Sequence, residues 1–366
     1  MEELTEFRIL AGVSLTIAFA SGVAAGPADT KAPASPKQQM IEAYAAEAKS
    51  LPAIPATFDA ETASLDELSR NGLPEKPDSK KYPQIYASWK LLVEAARYRV
   101  PSKLQSTAIY HAPAKDLRVG KRSTTGIFTG SSSSWSGYVI EDASNPFTRT
   151  FVYAAWTVPS AALCLVPSNV HKYASSWVGV DGYNSPDVLQ TGTSSDIDCH
   201  GGIMGAPQYY AWFEWFPMPM IIYGGFPISA GDYVLAWAGW YGPNGGYTVT
   251  LWDKSRLRSV TNVLQPPPGT ALLGHSIEWI VERPTVGGII SSLAPYAQDV
   301  WVNPVAYNIN TKMGYVPSSA PSGTVYNLTM MDGANTLSTS TLYPGPPPLS
   351  GDLILFDCPC YDYRHP

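Results

Sequence analysis

Around residue 214 the chain alternates large apolar side chains about a single charge. Read as a strand, Tyr209–Phe216 puts Tyr210, Trp212, Glu214 and Phe216 on one face and Tyr209, Ala211, Phe213 and Trp215 on the other. The aromatic content favours a strand, and Pro207 and Pro217 bound it. Glu214 is thus a lone carboxylate among apolar neighbours, where desolvation makes an idle charge costly. On a half-exposed strand it would be an ordinary rim carboxylate. Further strands are expected at 151–156, 173–180, 233–240, 247–252, 276–281 and 352–356. Turn signals at Gly242–Gly246 and Met331–Asn335 separate some of them. Many short strands without a long helix imply an all-β fold of two packed antiparallel sheets from Trp135 onward.

The first third of the chain follows a different period. Residues 9–25 are an apolar run ending in Val23-Ala24-Ala25, which predicts a signal peptide over 1–25, although Glu2, Glu3 and Glu6 make its start unusually acidic. Ser35-Pro36-Lys37-Gln38 and Ser64-Leu65-Asp66-Glu67 read as helix starts, and Asn71-Gly72 as a stop. Met40, Ile41, Tyr44 and Ala48 recur at helical spacing, as do Ile85, Trp89, Leu92, Val93 and Ala96. A small helical unit between an export signal and a β domain reads as a propeptide, so residues 26–130 are assigned to propeptide and linker and 131–366 to the β-sandwich domain. Lys121-Arg122 is a candidate processing site. The Ser/Thr/Gly-rich stretch 123–134 fits an exposed, cleavable linker.

Composition narrows the class. The 366 residues are 45% hydrophobic, 12% aromatic and only 15% charged. Residues 1–130 hold 14 acidic and 16 basic side chains, leaving 16 and 8 of the totals of 30 and 24 for the remainder. The leader is therefore net positive and the domain net negative, which argues against a nucleic-acid groove. It also predicts that the leader covers the domain partly by charge and loosens in acid. A low density of carboxylates suits acid conditions, because protonation then removes few native ion pairs. Four cysteines allow three pairings. In an exported chain Cys164 with Cys199 is the favoured bridge, since Cys358 and Cys360 are too close to join without strain. Zinc at Cys199 and His200 lacks the usual spacing, and no metal or cofactor is expected. Asn327-Leu328-Thr329 is a candidate glycosylation sequon.

A set of ordered motifs carries a resemblance. Ser176-Trp177-Val178-Gly179-Val180-Asp181-Gly182 precedes Leu189-Gln190-Thr191-Gly192, and then comes Trp212-Phe213-Glu214-Trp215-Phe216-Pro217. Trp135-Ser136-Gly137-Tyr138, Trp156-Thr157-Val158-Pro159, Gly231-Asp232 and Glu278-Trp279-Ile280-Val281-Glu282 flank them. In order and spacing, from about Trp135 to Trp301, the chain resembles the glutamic peptidases, or eqolisins, of the scytalidoglutamic type. The resemblance implies a lectin-like (concanavalin-like) β-sandwich with a concave face. It also implies an acid endopeptidase insensitive to pepstatin, with Gln190 and Glu214 as its catalytic pair.

The chemistry of those two side chains fits. Peptide hydrolysis needs an activated water, a stabilised oxyanion and a proton for the leaving amine. A glutamate can take and return the proton, while a glutamine amide offers both a donor and an acceptor. Trp135, Trp177, Asp181, Trp212 and Glu278 are candidates for support of the site or its cleft. Protein substrates and the chain's own propeptide are the expected partners, in a secreted monomer without stable membrane association. Pepsin-type Asp-Thr-Gly, HExxH and a complete nucleophile elbow at Gly274–Glu278 are all missing. The rival readings are a glycosidase pairing Glu214 with Asp181 or Glu278, and a non-catalytic lectin-like module.

Overall fold

A computed structural model describes residues 35–161, 170–200, 203–343 and 352–357. The expected signal peptide lies outside them, as do Cys164, Cys358 and Cys360.

The leader forms the expected helices. Helix α1 (Pro36–Glu47) is capped by Ser35, whose side chain accepts the Gln38 N–H. The Gln38 side chain turns forward to Glu42, so only half of a capping box forms there. After β1 (Lys49–Ser50), helix α2 (Leu65–Arg70) has the full box of Ser64 and Glu67. It stops at Gly72, whose φ of +62° suits glycine best. Helix α3 (Pro83–Ala95) buries Ile85, Trp89 and Leu92. Four strands follow: β2 (Lys103–Ser106), β3 (Ile109–Tyr110), β4 (Arg118–Arg122) and β5 (Phe128–Ser132). The stretch read as a linker is therefore largely built into the sheet. The turn at its start, residues 123–125, is exposed, as are Lys121 and Arg122.

The remainder is strand and turn. It runs through β6 (Trp135–Glu141), β7 (Thr150–Thr157), β8 (Val170–Tyr173), β9 (Ser175–Val180), β10 (Val188–His200) and β11 (Ile203–Met204). Next come β12 (Gln208–Phe216), β13 (Ile221–Pro227), β14 (Tyr233–Trp240), β15 (Tyr247–Asp253), β16 (Arg258–Leu264) and β17 (Ser276–Glu282). The chain ends with β18 (Thr285–Val286), β19 (Ile289–Ile290), β20 (Ser292–Leu293), β21 (Gln298–Asn308), β22 (Met313–Tyr315), β23 (Thr324–Asp332), β24 (Asn335–Leu342) and β25 (Leu353–Asp357).

Two layers emerge from the pairings. The front sheet runs β2–β13–β12–β10–β9–β17–β6–β23–β5–β4, antiparallel except where β23 meets β5. The back sheet runs β1–β16–β15–β14–β7–β21–β25–β24. A β23–β24 pairing joins the layers along one side. Between them lie Val178, Leu189, Phe213, Trp215 and Trp279 of the front sheet and Val152, Trp156, Val234 and Leu251 of the back. This is the antiparallel sandwich the pattern predicts, with the two faces of Tyr209–Phe216 divided as alternation requires.

The leader covers both outer faces. Leu68, Leu73, Ile85, Trp89 and Leu92 pack on Tyr153, Leu235, Trp237, Trp252 and Tyr307 of the back sheet. That contact is apolar. The ion pair across it, Lys312 with Glu75, has the acid on the leader, the reverse of the expected charge pattern. Burial of large side chains, at about 25 cal/mol per Å², holds the leader far better than surface ion pairs could. On the front sheet, Ile109, Ala114 and Leu117 lie against Trp135, Trp177 and Trp212.

Candidate active site

The front sheet sets its outward side chains in cross-strand rows. Gln190 pairs with Glu214 on one side and Gly179 on the other, and Gly179 pairs with Glu278. The next row is Trp212, Gly192, Trp177 and Ile280. The third is Tyr210, Ser194, Ser175 and Glu282, ending on Trp135. Side chains two apart share a face, so three rows gather Trp135, Trp177, Gln190, Trp212, Glu214 and Glu278 on one surface. Glycine at 192 lets the sheet close up, since a Cβ there would lie 2.0 Å from the Ser176 carbonyl oxygen.

Asp181 is placed elsewhere. Its carboxylate accepts the N–H groups of Gly274 at 2.8 Å and His275 at 2.7 Å, which fixes the turn leading into β17. Gly182 follows at φ +105°, where a Cβ would come within 2.8 Å of the Trp135 ring. The Asp-Gly of the motif is thus a structural joint. It removes Asp181 as a glycosidase partner for Glu214, because both carboxylate oxygens are already committed to backbone.

A leader residue occupies the gathered surface. The His111 N–H donates to both Glu214 oxygens, at 3.0 and 2.9 Å. Its ring Nδ1 lies 2.9 Å from Glu214 Oε2, and Nε2 lies 2.8 Å from Ser175 Oγ. The imidazole stacks on Trp212 with centroids 3.9 Å apart and planes 4° from parallel. Gln190 Nε2 donates to the His111 carbonyl at 2.7 Å, while Gln190 Oε1 has no hydrogen-bond partner. His111, Gln190 and Glu214 are all fully buried.

Burial sets the protonation states. It pushes the His111 imidazole down to about 3 and Glu214 well above the ordinary glutamate range, against the pull of the His111 N–H. A buried acid and a buried base at 2.9 Å hold one proton between them. Glu278 is also driven up by burial, opposed by Ser276. Glu282 rises by burial and by the charge of Glu214, opposed by hydrogen bonding from the Trp177 indole at 3.0 Å. Two carboxyls that feel one another titrate in two steps, so one can stay protonated while the other ionises.

His111, Ser175 and Glu282 are the members of this cluster that sequence reasoning did not single out. Alternation along Glu278–Glu282 puts both glutamates on one face, so that signal was present for Glu282. His111 carried no local signal. Cys199 is disulfide-bonded, which removes it as a zinc ligand. Asn327 Nδ2 donates to Tyr138 Oη and to the Ser340 carbonyl, both at 3.0 Å. A sugar on that nitrogen would break both bonds, so the folded strand does not offer the sequon.

The sequence profile of the Peptidase A4 family matches residues 133–345, more than half of the chain. This chain belongs to the peptidase A4 family. Aspergillopepsin-2 of Aspergillus niger is 28% identical over 148 residues, which cover 40% of this chain and 50% of that protein. The chain thus spans about half the length of that relative. A crystal structure of scytalido-glutamic peptidase with a transition state analog inhibitor is 16% identical, with a TM-score of 0.48 over 62% of this chain and 98% of its own. The aspergilloglutamic peptidase of A. niger is 22% identical, with a TM-score of 0.42 over 51% and 99%. The A4 region opens just before β6, so His111 and the strands β2 to β5 lie upstream of it.

Proposed function

We propose that the chain is the precursor of a secreted glutamic endopeptidase that cuts proteins in acid. The observation that carries this reading is a peptide unit already held in the site: the N–H of His111 on Glu214 and its carbonyl on Gln190. A surface built to grip both polar groups of one residue suits peptide hydrolysis. A sugar-cleaving couple has no use for that Gln190 contact. Among the described residues no helix is long and apolar enough to cross a membrane. Export through residues 1–25, a monomeric state, a propeptide role for the leader and a Cys164–Cys199 bridge belong to the same proposal.

Gln190 supplies the N–H that meets the developing oxyanion, and its free Oε1 can orient water. The acid–base work falls to the Glu214 and Glu282 couple. Sequence alone put that role on Glu214, yet among the described residues its carboxylate is hydrogen-bonded only by His111 of the leader. Glu282 keeps its bond from Trp177 when the leader departs, and a catalytic group needs such built-in orientation. Glu282 is therefore the proton carrier in this reading, and Glu214 the neighbour that tunes it and binds the substrate N–H.

The test is acid hydrolysis of a denatured protein, with pepstatin present, by leader-free wild type, Gln190→Ala, Glu282→Gln and Glu214→Gln. We expect Gln190→Ala and Glu282→Gln to lose roughly 1,000-fold in kcat/KM, and Glu214→Gln roughly tenfold. Full activity in Gln190→Ala would end the proposal. Loss in Glu214→Gln with retention in Glu282→Gln would return the proton to Glu214.

A further inference from the structure

We propose that the His111–Ala112 peptide bond is the bond this site cuts in its own chain, so that the leader ends at His111 and the working chain begins at Ala112. This rests on the peptidase reading above and adds which bond is processed and how the chain lies across the site.

The leader crosses the site as a bound substrate would. Strand β2 extends the front sheet by pairing with β13, from Lys103 opposite Gly224 to Ser106 opposite Ile221. Main-chain bonds continue toward the site. The Thr107 N–H donates to the Met220 carbonyl at 3.2 Å, and the Met220 N–H to the Ile109 carbonyl at 2.9 Å. Beyond the site the Ala114 N–H donates to the Gly182 carbonyl at 3.0 Å. Backbone pairing on both sides thus fixes the register of residue 111 independently of its side chain.

Within that register one carbonyl is aimed for attack. Its oxygen, on His111, receives the Gln190 N–H at 2.7 Å. The same amide has a buried, unpartnered Oε1 that can hold water beside the carbonyl carbon. Placing donor, carbonyl and water acceptor around one bond is the positioning that hydrolysis requires. In the step, water oxygen bonds to the His111 carbonyl carbon and the bond from that carbon to the Ala112 nitrogen breaks. A carboxylate of the couple takes the water proton and returns it to the Ala112 nitrogen. The products are a His111 carboxylate and an Ala112 amine, with no redox change.

The placement also explains the strands on either side. Downstream of the cut, β4 stays paired with β5 and β5 with β23, so the new terminus remains anchored to the sheet. A cut after Arg122 would instead sever the tip of that hairpin. Upstream, the fragment through His111 keeps its helices on the back sheet until it dissociates.

The experiment is a time course of the acidified precursor at several protein concentrations, with the mass of each released fragment measured. The expected first products are a leader fragment ending at His111 and a chain beginning at Ala112, formed at a rate independent of concentration. The Gln190→Ala precursor should form neither. A first cut elsewhere, after Arg122 for example, or a rate that climbs with concentration, overturns the proposal. If the acidified protein digests a denatured substrate while its leader ends elsewhere, this inference alone fails. If it neither processes itself nor digests substrate after the leader is removed by another protease, the peptidase reading fails with it.

Discussion

In the proposed precursor, His111 and Glu214 form a unit whose proton count sets how firmly the leader is held. Closed, the pair holds one proton between two buried groups. Released, each returns toward its ordinary value, 6.5 for the imidazole and 4.5 for the carboxyl. Between those values the open pair also holds one proton, so opening is insensitive to pH there. Below about 4.5 the open pair binds a second proton and opening is favoured, by about tenfold per pH unit. The other titratable groups that act on the pair do not reverse the sign. Burial pushes the Tyr44 hydroxyl up and keeps it neutral, and Glu282 is pushed up as well, with Lys115 opposing. The leader should therefore be held in the site most firmly between pH 4.5 and 6.5 and should leave it more readily below that window, a step separate from the cut, which needs His111 seated. In His111→Gln only Glu214 titrates, and its raised value in the closed state then favours closure in acid. Stopped-flow tryptophan fluorescence that follows His111 leaving Trp212, from pH 3 to 6 in the uncut Gln190→Ala precursor, checks this, and an unchanged acid dependence once His111→Gln is added would place the switch elsewhere.

At the level of elements, short joints hold long strands in register. The turn from β9 toward β10 and the one entering β17 meet at Asp181, which bridges them through two backbone N–H groups. Asp181→Ala would strand both donors in a buried setting and should destabilise the protein by about 3 kcal/mol, measured by urea unfolding. A change under about 1 kcal/mol would mean that the turn is held by other contacts. Strand β10 illustrates what a local pattern conceals. Its 13 residues are nearly all buried, yet they read Val-Leu-Gln-Thr-Gly-Thr-Ser-Ser-Asp-Ile-Asp-Cys-His, without the apolar alternation that marks β12. It is covered on both faces, by the core on one and by the leader crossing on the other. Small polar residues fit where Trp156, Trp212 and His111 crowd against it, and their hydroxyls find partners such as Trp156 Nε1 on Thr193.

At the scale of the whole molecule, tolerance of acid is expected for a different reason from the one composition suggested. The domain does not simply lack carboxylates. It buries several, and burial raises them by more than the nearby basic groups, such as Lys115 beside Glu282, lower them. Asp187 is pushed up to about 6 and Asp299 to about 7, and Glu214, Glu278 and Glu282 go well above their ordinary range. A carboxyl whose folded-state value lies above its unfolded value keeps a proton in the native state. Its stabilising effect is complete in acid and is lost as pH rises through the folded value. Thermal stability should therefore fall between pH 4 and pH 8, by roughly 10 °C in Tm for a domain of this size. A Tm that is flat or rises over that range would show that these groups are ionised in the native state. Leader attachment follows the same rule of burial over charge, since an apolar helix face, not net sign, seats it on the back sheet.

The sequence by itself determined the elements whose signals are local. These are the alternating strand at 209–216 with its lone glutamate, the capped helix at Ser64, the stop at Gly72 and the ordered motifs that carry the family resemblance. Each depends on side chains a few residues apart, and a strand period of two or a cap three residues away is visible without a fold. Only the tertiary structure decided what meets what. It brought Glu282 into the same cluster as Gln190, turned Asp181 away into a joint, wove the apparent linker into the sheet and set His111 on Glu214, 103 positions away in sequence. Such contacts depend on strand register and on exclusion of water, and no local pattern records which distant residue will share a buried row.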